Sequence, residues 1–233
     1  MRDLYKFTQG AYGTRGMINK TFELTQDIIN NNIPGDFVEC GVAFGAQIGA
    51  MSFACHLAGV SRTFHLYDSF EGIPLAGPKD TVQPGIGAIT HDVNKPLRER
   101  LVSSGITVHS LESVKKNVES WGFKEQNYIY HKGWFQDTIP QNTIDKISFL
   151  RLDGDLYEST EVCLRFLGHK VSKGGYIVID DYHLLGAKTA TDEYIKDKNV
   201  ELIRMPYAVA TPEGQSVAAK NPDVLTPVYW KVI

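Results

Sequence analysis

The sequence has no basic surplus. Lys and Arg number 24 against 27 Asp and Glu, a formal net charge of −3, so nothing is left over to hold a nucleic-acid backbone, and generic DNA or RNA binding is disfavoured. Cysteine is scarce. Cys40, Cys55 and Cys163 form no C-x-x-C pair, which argues against a disulfide framework or structural zinc and fits a reducing cytoplasm. The opening Met1-Arg2-Asp3-Leu4-Tyr5-Lys6 lacks the basic-then-apolar order of a signal peptide. Residues 41–60 carry no Asp, Glu, Lys or Arg, yet Gln47, Ser52 and His56 interrupt the run. It reads as a buried strand-to-helix turn and helix, not a membrane span. Also missing are internal repeats, heptads and low-complexity tracts, the G-x-S-x-G elbow of serine hydrolases, the G-x-x-x-x-G-K-[ST] loop of P-loop kinases and the G-x-G-x-x-G nicotinamide fingerprint. With 42% hydrophobic residues in 233 and no composition break, the chain is expected to be one domain with a sizeable core.

Short apolar runs alternate with helical periods, the mark of an α/β chain with a parallel sheet. Strands are expected at Phe37–Cys40, Thr63–Asp68, Tyr128–His131, Ile147–Leu152 and Tyr176–Ile179, the last entered by a turn at Lys173-Gly174-Gly175. Leu202–Val209 and Pro227–Val232 read as a closing hairpin. Helices are expected over Gly45–Leu57, Leu111–Gly122, Tyr157–His169 and Ala187–Asp197. In the second of these Leu111, Val114, Val118 and Trp121 recur at three- and four-residue steps, Ser110 suits the N-cap and Gly122 the stop. Glu71 to Lys95 is a long Pro- and Gly-bearing loop, of a length that marks a functional lid.

Six acids stand where these strands stop: Glu39, Asp68, Asp153, Asp155, Asp180 and Asp181. In an open parallel sheet, ligands bind at that edge. Gly41 lets the chain turn after the first strand, and Gly45 opens the following helix, whose N-terminus can receive a carboxylate or phosphate; a tight turn without ligand explains this pair equally well. Asp68 closes the second strand, as an acid that accepts ribose hydroxyls does in dinucleotide folds. Asp153, Asp155, Asp180 and Asp181 would repel one another without a compensating cation, and an all-oxygen set suits Mg²⁺. No EF-hand loop is present, and the structural alternative is that Asp155 or Asp181 caps a helix. His56, His65 and the cysteines lie in apolar stretches and read as packed residues; His183 is a candidate for substrate contact or a surface residue.

The blocks E-C-G-V-x-x-G, D-S-F-E-G-x-P, G-W-F-x-D-T-I-P, L-R-L-D-G-D-L-Y-E-S-T and G-G-Y-I-V-I-D-D-Y occur in this order. Together they resemble the macrocin O-methyltransferase (TylF-type) family over about Asp36 to Glu193, and again at Val228-Tyr229-Trp230-Lys231. The resemblance implies a Rossmann-like class I methyltransferase fold: a seven-stranded, mostly parallel sheet with one antiparallel strand and helices on both faces. It implies an S-adenosylmethionine- and Mg²⁺-dependent enzyme that methylates a hydroxyl of a sugar or glycosylated natural product, with a small-molecule acceptor, no nucleic-acid or membrane partner, and a homodimer.

By matching position it assigns the metal to Asp153, Asp180 and Asp181 and the general base to Asp155. Glu39, Gly41, Asp68, Ser69 and Phe70 match the cofactor cradle, and Gly133, Trp134 and Phe135 the segment beside the adenine. Residues 1–34, with Tyr12–Met17 in particular, correspond to a cofactor cover, and 71–95 to the lid. The chain departs from the family pattern at Gln47, where a small hydroxyl residue is usual, at Ala43-Phe44, and through much of the lid. Three other readings stay open: a catechol-type metal-dependent O-methyltransferase, a cofactor-binding scaffold without transfer activity, and a Rossmann oxidoreductase, the last disfavoured by the glycine spacing.

Overall fold

The computed structural model describes Leu4, Lys6 and residues 14–80, 95–205 and 227–233. Helix α1 (Arg15–Asn30) comes first. The Thr14 hydroxyl caps it by accepting from the Met17 N–H, and Met17, Ile18, Leu24 and Ile28 form its buried stripe. Then come β1 (Asp36–Cys40), α2 (Ala46–Ala58), β2 (Thr63–Asp68), α3 (Leu97–Arg100), α4 (Leu111–Ser120), β3 (Asn127–Lys132) and α5 (Phe135–Thr138). The remainder is β4 (Ile147–Leu152), α6 (Tyr157–Leu167), β5 (Val171–Ile179), α7 (Leu185–Ile195), β6 (Ile203–Arg204) and β7 (Val228–Lys231).

The strands form one seven-stranded sheet in the order β3-β2-β1-β4-β5-β7-β6. Pairings among β1 to β5 are parallel, and β7 runs antiparallel to both β5 and β6. The strand order reverses between β1 and β4, which opens a crevice beyond their carboxyl ends. Both faces are covered because successive strand side chains point opposite ways. Phe37 packs with Leu24 of α1, Ile48 and Met51 of α2 and Val114 of α4. Its neighbour Val38 packs with Val162, Cys163 and Leu167 of α6 on the other face. Strands buried on both sides read as continuous apolar runs, which is why they were legible.

Local details depart from the sequence expectation. Lys173-Gly174-Gly175 is not a turn before the strand but part of β5, which starts at Val171; Gly174 has φ +86°, and the pairing with β4 shifts register there. β6 is only two residues long, and the expected strand beyond Met205 lies outside the described residues. His56 is not packed but exposed, its Nδ1 2.8 Å from Glu125 Oε1. Neither Asp155 nor Asp181 caps α6. Asp80 does, its Oδ1 accepting from the Tyr157 N–H at 2.8 Å across the fold.

That bond also anchors the loop after β2. Ile73 exchanges main-chain bonds with Ile106 and Ser104, Leu75 N–H donates to the Arg100 carbonyl, and Arg100 Nη2 pairs with Glu158 Oε1 at 2.7 Å. Of the expected lid, residues 81–94 lie outside the described residues, as do 1–3, 5 and 7–13 of the expected cover. No helix among the described residues is long and apolar enough to cross a membrane.

Candidate active site

The carboxyl ends of β1, β2, β4 and β5 border a cavity of about 330 Å³, within the size range of small-ligand pockets. Main-chain bonds draw the strand ends together. Asp153 N–H donates to the Cys40 carbonyl and Asp180 N–H to the Leu152 carbonyl, both at 2.8 Å, while Gly41 N–H donates to the Tyr67 carbonyl. Gly41 has φ +89°, and a Cβ there would overlap the Asp153 carbonyl oxygen. Only glycine fits this turn.

Asp68 receives the turn that Gly41 starts. Its Oδ2 accepts from the Val42 and Ala43 N–H groups at 2.8 and 3.2 Å, and its Oδ1 from Phe70 N–H at 2.7 Å. Three such bonds keep the carboxylate aimed at the cavity, and an ionised carboxylate still has lone pairs for hydroxyl donors. Burial raises its pKa, against the pull of those N–H groups. Ser69 Oγ donates to the Gly72 carbonyl and accepts from Glu71 N–H, shaping the next turn.

Of the residues expected to cradle a cofactor, Gly41, Asp68, Ser69, Trp134 and Phe135 line the cavity. Glu39, Phe70 and Gly133 do not. Phe70 is buried with φ +55°, and Gly133 has φ +142° and donates its N–H to the Asp68 carbonyl. Gln47 is buried too: its Oε1 accepts from the Thr21 hydroxyl at 2.7 Å, tying α2 to α1. Thr14 and Met17 of the expected cover line the cavity, and so does His183, whose pKa burial lowers.

The acids gather at the far side. Asp153, Asp155 and Asp181 each bring a carboxylate oxygen within 4.8 Å of the others. Asp155 adopts φ +59°, a left-handed conformation uncommon outside glycine, and its N–H donates to Asp181 Oδ2 at 2.8 Å. Asp180, expected with Asp153 and Asp181, also lines the cavity but is held by Arg151, its Oδ1 2.6 Å from Nη2.

Arg151 is the residue that sequence reasoning passed over. Its Nη1 pairs with Glu39 Oε1 at 2.6 Å and Asp153 Oδ2 at 3.0 Å. The signal was present: an arginine inside the otherwise apolar run Ile147–Leu152, buried by both neighbouring strands, must find partners. Asp80 was missed for lack of any local signal.

Burial raises the Glu39 carboxyl against the pull of Arg151, and pushes Asp155 up to about 8, with Asp153 and Asp180 adding repulsion. Burial likewise takes Asp180 to about 7 and Asp181 well above the ordinary carboxyl range. Glu39 is 1% exposed, and its Oε2 has no hydrogen-bond partner. Crowded acids that resist ionisation, with only oxygen donors, are the chemistry of a hard divalent cation site, and the residues present fit one.

A pH dependence follows. In the unfolded chain carboxyls lose their protons near pH 4; in the folded chain Asp155 and Asp180 keep theirs to about 7–8. Unfolding therefore releases protons between those values, and stability falls as the pH rises through the window. In EDTA the protein will melt at a lower temperature at about pH 8.5 than at about pH 6, and a divalent cation will narrow the gap. Thermal unfolding at both pH values measures it; a flat profile would mean that the acids stay ionised and paired.

Residues 2–206 match the family described as Macrocin-O-methyltransferase (TylF). Demethyldecarbamoylnovobiocin O-methyltransferase of Streptomyces niveus is 37% identical over 174 residues, 74% of this chain and 62% of that protein. The 8-demethyl-8-(2,3-dimethoxy-alpha-L-rhamnosyl)-tetracenomycin-C 4'-O-methyltransferase of Streptomyces olivaceus is 33% identical over 170 residues, 72% of this chain and 61% of that protein. The chain thus spans less than two thirds of the length of either relative. Among solved structures, the O-methyltransferase NovP superposes with a TM-score of 0.70 at 32% identity, over 93% of this chain and 79% of that one. CalS11, a calicheamicin methyltransferase, shares the fold at 16% identity and a TM-score of 0.65, over 99% of this chain and 90% of that one. The architecture is that of the class I methyltransferases, and the chain belongs to the macrocin O-methyltransferase (TylF) family.

Proposed function

We propose that this chain is an S-adenosylmethionine-dependent, Mg²⁺-assisted O-methyltransferase acting on a hydroxyl of a sugar or glycosylated natural product. The observation that carries the reading is the meeting, in one cavity, of the Gly41 turn and Asp68 with the oxygen cluster of Asp153, Asp155 and Asp181. One half suits an adenosine-type methyl donor, the other a hydroxyl that must be made nucleophilic. The name of the Streptomyces olivaceus relative, which describes O-methylation of a rhamnosyl-bearing tetracenomycin, supports the acceptor class.

S-adenosylmethionine supplies an electrophilic methyl group, and Mg²⁺ supplies positive charge that acidifies a nearby hydroxyl. The rest falls to the protein. Asp68 accepts from ribose hydroxyls, Gly41 leaves room beside its turn, and Ser69, Trp134 and Phe135 close the cradle. Glu39, Phe70 and Gly133 act without lining the cavity, by holding that cradle in shape. Asp153 and Asp181 would hold the ion together with Asp180, which lines the same cavity. Asp155 faces the same space and accepts the acceptor's proton. Bringing donor and acceptor into one small cavity supplies proximity and excludes water.

The test is an S-adenosylmethionine turnover assay, with products read by mass spectrometry, on glycosylated acceptors and on catechols, each with Mg²⁺ or EDTA. The expected result is Mg²⁺-dependent methylation of a sugar hydroxyl. Methylation of catechols alone moves the protein to the catechol-type class. Binding of S-adenosylmethionine with no turnover on any acceptor makes it a cofactor-binding scaffold. Full activity in EDTA removes the metal.

A further inference from the structure

We infer that Arg151 is a positioning residue: one buried guanidinium holds one oxygen each of Asp153 and Asp180, so that both carboxylates keep a fixed presentation to the cavity where a divalent cation binds. The inference rests on the metal-assisted reading above.

Strand geometry places the four residues together. Arg151 stands opposite Glu39 on β1 and opposite Val178 on β5 in the parallel register. With a side-chain period of two, Asp153 and Asp180 lie on the same face, one step nearer the carboxyl edge. The guanidinium fork spans all three strands: Nη1 reaches Glu39 Oε1 (2.6 Å) and Asp153 Oδ2 (3.0 Å), and Nη2 reaches Asp180 Oδ1 (2.6 Å). The Arg151 and Glu39 side chains are 3% and 1% exposed, whereas Asp153 and Asp180, at 30% and 16%, reach the cavity. Arg151 is thus covered on the inner side, with the two acids between it and the ligand space.

Stability does not account for this arrangement. A buried ion pair repays its desolvation poorly, and a packed apolar pair serves a core as well or better. A planar fork with fixed donor directions does what an apolar residue cannot: it fixes two carboxylates on neighbouring strands in relative orientation. Buried partners that orient metal ligands in this way typically change metal affinity by about 10- to 100-fold when lost. Glu39 completes the set as counter-charge to Arg151, which keeps the guanidinium from turning wholly toward the acids at the edge.

Charge and geometry have opposite signs here, and the test separates them. Removing the Arg151 charge alone would favour a cation, so the informative variants keep the charge balance. Arg151→Lys retains the charge and loses the fork. The double variant Glu39→Gln/Arg151→Met removes one charge of each sign, leaves neither partner buried and uncompensated, and serves if the lysine variant does not fold. Mn²⁺ titration followed by electron paramagnetic resonance reads ion affinity and site symmetry without turnover, with circular dichroism confirming the fold. We expect the parent to bind one Mn²⁺, displaceable by Mg²⁺, and each variant to bind it about 10- to 100-fold more weakly with a broadened spectrum. Variants that bind Mn²⁺ within about twofold of the parent and merely melt earlier would reduce Arg151 to a structural residue. A parent that binds no Mn²⁺ overturns the metal reading and this inference with it.

Discussion

Replacing Asp153 by alanine is expected to lower Mg²⁺-dependent methyl transfer by about 10³-fold or more, while S-adenosylmethionine affinity stays within a few-fold of the parent. The separation comes from which atoms of Asp153 do what. Its main chain serves the cofactor turn: the N–H donates to the Cys40 carbonyl, and the carbonyl stands where any side chain at Gly41 would intrude. Alanine keeps both groups. Its side chain serves the acid cluster, with Oδ2 on Arg151 and an oxygen close to those of Asp155 and Asp181. Alanine removes that ligand and leaves Arg151 to Glu39 and Asp180. A bound cation contributes several kcal/mol of transition-state stabilisation, and each 1.36 kcal/mol is a factor of ten in rate, which sets the magnitude. Steady-state turnover with Mg²⁺ and with EDTA, beside calorimetric titration with S-adenosylmethionine, checks both halves. A variant that binds the donor poorly would show that the side chain supports the Gly41 turn. A parent fully active in EDTA would remove the reason for the effect.

Asp155→Asn carries the second large effect, an expected fall of about 10²–10⁴ in turnover from the loss of a general base, with cation affinity nearly unchanged. Asparagine is the appropriate probe because it tolerates the left-handed conformation that Asp155 adopts at φ +59°. Alanine there would add backbone strain and blur the result. The N–H that donates to Asp181 Oδ2 is main-chain and survives the change. Burial and the neighbouring Asp153 and Asp180 lift the Asp155 carboxyl to about 8, which gives it the proton affinity a base needs near neutral pH. The geometry also sets a rival role, since Asp155 stands in the three-carboxylate cluster where Asp180 was expected. Mn²⁺ affinity distinguishes the two. A drop in affinity matching the drop in rate would make Asp155 a ligand; unchanged turnover would remove it from the chemistry.

Both predictions concern positions that local pattern had already marked. Each acid follows an apolar strand, and each strand is legible because burial on both faces leaves little room for polar residues. The same rule made Arg151 visible in principle, a charge within the apolar run of β4. Its two distant partners were not visible, since Glu39 lies 112 residues away and Asp180 29 residues away. Only strand order and register join them. Asp80 offered less still. It lies inside a Pro- and Gly-bearing loop, yet it caps α6, the helix that follows the Gly154-Asp155-Leu156 turn, from 77 residues away. His56 misled because its segment is apolar in composition while its own position on α2 faces solvent beside Glu125.

The sequence alone determined the alternation of strands and helices, the glycine demanded at position 41, the gathering of acids at strand ends and the family to which the motifs belong. These are short-range properties: a two-residue or 3.6-residue period, a backbone angle that only glycine accepts, a run of matching residues. The tertiary structure alone decided which carboxylates face one another, that Arg151 takes one oxygen from Asp180 while Asp155 joins Asp153 and Asp181, and that Glu39 is buried against Arg151. Those outcomes depend on which strands become neighbours and in what register, and pairing between distant segments is set by packing of the whole sheet rather than by any local pattern.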